Sequence, residues 1–192
     1  MGLRSRHGFW RRRGATSLTL HDEELRVLAG LAESMVELVG PAEPADADPL
    51  ALLVGIDAEA ETPVDPAVHR LLPDAYRDDD NAAADFRRFT ERSLRQLKAD
   101  RAAFCLQLVT DMSGQVDQDH GTATAPVSGE DAQALLGALN DMRLVLGSRL
   151  GIETDDQDIT AGWSPDDPRL PHYDLYQWLT WLQSTLLDTL AR

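Results

Sequence analysis

The stretch Ser128–Ile152, SGEDAQALLGALNDMRLVLGSRLGI, decides the fold class. Leu135, Leu139, Met142, Leu146 and Leu150 return at steps of three or four residues, which gathers them on one side of an α-helix. Ser128 offers a hydroxyl to the first free N–H groups, and Glu130 and Asp131 face the positive end of the helix dipole. Gly151 is placed to stop the helix in a left-handed cap. A segment with this pattern needs other helices to cover its stripe.

Three further stripes answer that need. Residues 22–39 carry Leu25, Leu28, Ala29, Ala32, Met35, Val36 and Val39, and end at Gly40-Pro41. Residues 81–112 carry Phe86, Phe89, Leu97, Phe104 and Leu108 on one face, interrupted by Ser93 and Asp100, with Cys105 at its edge. Residues 171–190 carry Leu175, Trp178, Leu179, Leu182, Leu186 and Leu190, widened by Tyr176, Trp181 and Leu187. So broad an apolar surface points to more than one neighbour, a second subunit (a homodimer) among them. The expected fold is mainly α: a single-domain bundle of about four major helices. Shorter helical turns are expected at 49–54 and 66–72, between acidic, proline-rich loops.

Two segments stand outside the bundle. Phe9–Leu20, FWRRRGATSLTL, turns at Gly14 and alternates at Ser17-Leu18-Thr19-Leu20. It reads as a short β hairpin lying on the helices, with an extended arm as the alternative. The division is residues 1–16 as basic arm or hairpin strand and 17–192 as one helical domain. Residues 113–127, SGQVDQDHGTATAPV, show no apolar period and are expected to be a mobile loop.

The chain of 192 residues has a net charge of -15, unevenly spread. Residues 1–13 hold Arg4, Arg6, Arg11, Arg12 and Arg13 and no acid, while the remainder has 13 basic against 33 acidic residues. Such a body repels phosphate backbones. The arm is the part suited to DNA or to an acidic protein surface, and Trp10 adds an aromatic ring to it. A solvated leader, or an arm folded on its own body, is the competing reading. No apolar run is long enough to span a bilayer, and no apolar signal core follows the basic start, so a cytoplasmic protein without membrane contact is expected. A single cysteine agrees with that compartment.

Candidate chemistry is sparse. Asp100 interrupts an apolar face and needs a partner; Arg143 and Arg149, flanking the 128–150 stripe, are the expected ones, as a structural ion pair between helices. Cys105 is a candidate redox thiol, weighed against an inert buried one because no base adjoins it. Asp117, Asp119 and His120 form the one mixed cluster, with no calcium-loop pattern, and the five histidines are not at metal-ligand spacing. No phosphate loop, dinucleotide fingerprint, nucleophile elbow or zinc-protease helix occurs. The expectation is a protein without catalytic residues, metal or cofactor.

Three segments carry a family resemblance: FWRRRGATSLTLHDEELRVLAGL, LNDMRLVLGSRLGI at 139–152, and YDLYQWLTWLQSTLL. Together they resemble the actinobacterial proteins of unknown domain function encoded beside the protease adaptor ClpS, which include the AosR-type oxidative-stress regulators. The resemblance implies a cytoplasmic regulator of transcription that works with a sigma factor or other transcription machinery. A Clp-linked adaptor or interaction module without nucleic-acid contact is the alternative it suggests. AosR-type proteins are associated with a cysteine pair near the N-terminus. This chain has none there, so an intramolecular disulfide is impossible and only an intermolecular bond or a capped thiol at Cys105 remains.

Overall fold

A short hairpin opens the fold in a computed structural model that describes residues 7–40, 62–76, 78–154 and 159–191. Strand β1 (Gly8–Arg12) pairs antiparallel with β2 (Ala15–His21), Phe9 opposite Leu18 and Arg12 opposite Ala15. The two-residue turn is Arg13-Gly14, both with positive φ (52° and 86°), as tight hairpins require. Helix α1 (Asp22–Val39) follows β2 without a break. After it come α2 (Pro66–Leu71), the long α3 (Asp80–Ser113), strand β3 (Thr122–Val127), α4 (Gly129–Leu150) and α5 (Leu170–Leu190). Arg4, Arg6 and the helical turns expected at 49–54 lie outside the described residues.

The protein is mainly α with a small N-terminal β segment, as its apolar spacing predicts. The caps form as read. Ser128 Oγ accepts the Asp131 N–H at 3.2 Å while Asp131 accepts the Ser128 N–H at 3.1 Å. Gly151 closes α4 at φ 74°, and the Ile152 N–H returns to the Gly147 carbonyl at 2.8 Å. One core joins sheet and helices. Phe9, Leu18 and Leu20 meet Leu25, Leu28, Val109, Met112, Leu139, Met142, Leu182 and Leu186 inside it.

Three expectations change. Residues 113–127 are not simply a loop, because β3 pairs along its whole length with β2, in the order β1-β2-β3. Its buried positions are alanine and valine, Ala123 and Val127, which give little apolar signal between threonines. Pro126, which reads as a breaker, is tolerated because β3 is an edge strand. The boundary at 16/17 falls inside β2, whose Leu18 and Leu20 are core residues.

The third change is the face of α3. Phe86, Phe89 and Leu97 are 45%, 59% and 44% exposed. The buried side instead runs through Ala83, Arg87, Glu91, Ala102, Cys105, Val109 and Met112. Its polar members are satisfied by partners that spacing alone does not show. Arg87 reaches Glu91 at 2.8 Å and Asp74 at 2.5 Å, and Glu91 also holds Arg95 at 2.7 Å. Burial would drive the Arg87 guanidinium towards deprotonation, but the two carboxylates outweigh it and raise its pKa.

Candidate functional site

The alternation of β1 and β2 fixes where the basic residues go. Phe9 and Arg11 lie on the core-facing side with Leu18. Trp10 and Arg12 lie on the other side with Ser17 and Thr19. Trp10 Nε1 donates to Thr19 Oγ1 at 3.0 Å, and Thr19 shares a 2.8 Å hydrogen bond with Thr124 Oγ1, so an outward-facing polar ladder crosses all three strands. Arg11 is not available at that surface, because its guanidinium donates to the Thr189 carbonyl at 3.0 Å. Arg12 and Arg13 are exposed at the tip.

The hairpin is fastened to α5. The Phe9 N–H donates to Thr185 Oγ1 at 3.1 Å. Gly8 has φ 74°, and a Cβ there would lie 2.8 Å from the Trp181 ring, so only glycine lets strand and helix approach this closely. His7 stacks on Trp181, with ring centroids 5.1 Å apart, and its Nε2 lies 2.6 Å from Glu24 Oε2. Glu24 also accepts the His21 N–H at 2.8 Å and Trp178 Nε1–H at 3.1 Å. Burial alone would raise the Glu24 pKa; the bonds from His7, His21 and Trp178 win and lower it. Glu24 thus ties the hairpin, α1 and α5 together. The sequence reading missed that role, since Glu24 reads as an ordinary first-turn acid.

The expected ion pair does not form. Asp100 is exposed and accepts from Gln96 at 2.7 Å within its own helix. Arg149 pairs with Asp65 at 2.6 Å. The bridge between α3 and α4 is Lys98–Asp141 at 2.7 Å, two positions away on each helix and with the charges exchanged. Asp100 lies about 160° around α3 from Lys98, so it points to water. Asp141 is 3% exposed, and its second carboxylate oxygen has no partner among the described residues.

Arg143 turns to α5. Its Nε–H donates to Thr180 Oγ1 at 2.9 Å, Nη1 to Gln183 Oε1 at 2.5 Å and Nη2 to Tyr176 OH at 3.3 Å. Its guanidinium carbon lies 5.3 Å from the Tyr176 ring centroid. It borders a cleft of about 380 Å³ that Arg70, Asn140, Thr154 and Tyr176 also line.

Cys105 is wholly buried, and burial pushes its thiol up to about 12. That is the inert reading of the two, since attack and oxidation run through the thiolate. Asp117 accepts the N–H groups of Asp119 and His120 at 2.8 and 3.1 Å, and its cluster with His120 is a local turn. No group of three His, Cys, Asp or Glu suited to a metal occurs among the described residues. Nor is any described helix long and apolar enough to cross a membrane.

Comparison with known proteins agrees with the segments quoted from the sequence. The chain is 33% identical over 184 residues to the oxidative stress regulator AosR of Mycobacterium bovis, covering 88% of this chain and 79% of that relative. The Mycobacterium tuberculosis protein of the same name gives the same figures. No solved structure matches. The family described as a domain of unknown function, DUF2017, matches residues 6–190, and with relatives this similar over most of their length the chain belongs to that family.

Proposed function

We propose that this protein is a regulator of the oxidative-stress response that works by holding macromolecular partners. Its acidic body engages a protein of the transcription machinery, and its hairpin tip touches DNA. The oxidative signal reaches it through the partner, because Cys105 is sealed in the core.

Arg13 carries this reading. It has φ 52°, a conformation that glycine or asparagine adopts more cheaply than arginine. Such a residue costs about 1–2 kcal/mol and persists where another use favours it. Here it places a second exposed guanidinium beside Arg12 on a hairpin that is hydrogen-bonded to α5. Outside residues 1–13 the chain carries 13 basic and 33 acidic residues, so this tip is where a phosphate backbone meets the least repulsion.

The test is anisotropy with a labelled duplex across a salt series. Removing two phosphate contacts with Arg12→Ala/Arg13→Ala is expected to flatten the log–log slope by about 1.8. Arg13→Gly is expected to bind more weakly yet fold more stably, which separates charge from mounting. No binding by the intact protein at low salt would remove DNA from the proposal. Pull-down from native extract decides the protein partner: RNA polymerase or a sigma factor supports it, and Clp components in their place would replace it with the adaptor reading.

A further inference from the structure

We propose that the cleft between α2, α4 and α5 binds a small metabolite through an oxyanion, a phosphate or a carboxylate, held by Arg70 and Arg143. This stands apart from the hairpin and does not depend on it.

The first observation is how these two arginines are partnered. The body of the chain is rich in acids, and most of its arginines with described contacts find one. Arg26, Arg87, Arg88, Arg95, Arg149 and Arg169 each have a carboxylate oxygen within 4 Å. Arg143 and Arg70, which border the same cleft, do not. Arg143 is held by a hydroxyl, an amide oxygen and a phenol. Arg70 donates Nη1 to the Ile152 carbonyl at 2.5 Å. Every one of these acceptors is neutral, so among the described residues neither guanidinium has a carboxylate bonded to it, and Glu153 is the one acid bordering the cleft with them.

The second is donor accounting. A guanidinium has five N–H groups. Arg143 uses three and Arg70 one among the described residues, which leaves two and four for a ligand. Arg143 is already oriented by its bonds to α5 and by the Tyr176 ring, so an incoming anion meets a fixed donor. Planar forks of this kind bind phosphate and carboxylate in a bidentate manner.

The third is the room. The cleft is about 380 Å³, within the range of small-molecule sites, and Asn140, Thr154 and Glu153 add polar groups around it. Gly147 forms part of the wall, where a Cβ would already touch Tyr176 at 3.5 Å.

The test follows the arginine Nε–Hε resonances of the intact protein by NMR, titrating inorganic phosphate and citrate separately, with sodium chloride at matched ionic strength as control. Saturable shifts at Arg143 and Arg70 with either anion, in the millimolar range or tighter, support the site. The anion that gives them identifies the source as phosphate or carboxylate. Thr154→Glu puts a competing carboxylate at an exposed position, so the fold is retained, and is expected to weaken binding about tenfold or more. Arg70→Gln is expected to do the same. Shifts equal to those with chloride, no shift with either anion, or unchanged affinity in both variants would overturn the proposal.

Discussion

Cys105 lies on the interior side of α3 with no exposed surface, and its raised pKa leaves almost no thiolate at neutral pH. Native protein is therefore expected to resist alkylation, with labelling that tracks global unfolding across a denaturant series. Rapid labelling in buffer would show that α3 opens locally. Glu24 makes the opposite kind of prediction, because its carboxylate form is the bonded one. Its pKa lies below the ordinary value of about 4.3, so its contribution is complete above that value and is lost as pH falls through the folded one. Tryptophan fluorescence is expected to change as acid protonates Glu24, because the neutral carboxyl is a weaker acceptor for Trp178 Nε1–H. Glu24→Gln is expected to lower stability at neutral pH and to flatten that acid limb.

Between elements, Lys98 and Asp141 join α3 to α4 from inside. Lys98→Met is expected to cost about 3–5 kcal/mol, because Asp141 would be left buried and charged. Lys98→Met/Asp141→Leu is expected to recover most of that loss; chemical denaturation of the three proteins measures it. The exposed aromatic side of α3 behaves differently. Phe89→Ala is expected to change stability by about 0.5 kcal/mol or less, whereas Leu139→Ala costs about 2–5 kcal/mol. These pairs also show what was legible. Helices α1 and α4 were readable because the apolar stripe, the first-turn acids and a stopping glycine agree in both, with the Ser128 cap added in α4. In α3 the larger residues, Phe86, Phe89 and Leu97, outweigh Ala83 and Ala102 in any periodicity, yet Arg87, Glu91 and Lys98 occupy the buried side. Their partners come from other segments, and spacing carries no record of them. Strand β3 was hidden by its small side chains. The arginine cleft was hidden because residues 70, 140, 143, 154 and 176 come from four stretches of chain.

At the level of the whole molecule, the N-terminal hairpin is secured by elements made well after it. Strand β1 rests on α5, and β2 takes β3 as its second neighbour. Gly8→Ala is expected to push Trp181 aside and raise amide exchange throughout β1, while α4 keeps its protection. This wiring has a consequence during synthesis. Leu18 and Leu20 leave the ribosome early, but Leu182 and Leu186, which share their core, are made some 160 residues later. At about 5–20 residues per second that interval is on the order of ten seconds, during which a greasy ribbon edge waits without its lid. A nascent-chain chaperone that shelters such edges is therefore expected to dwell on this protein until α5 emerges.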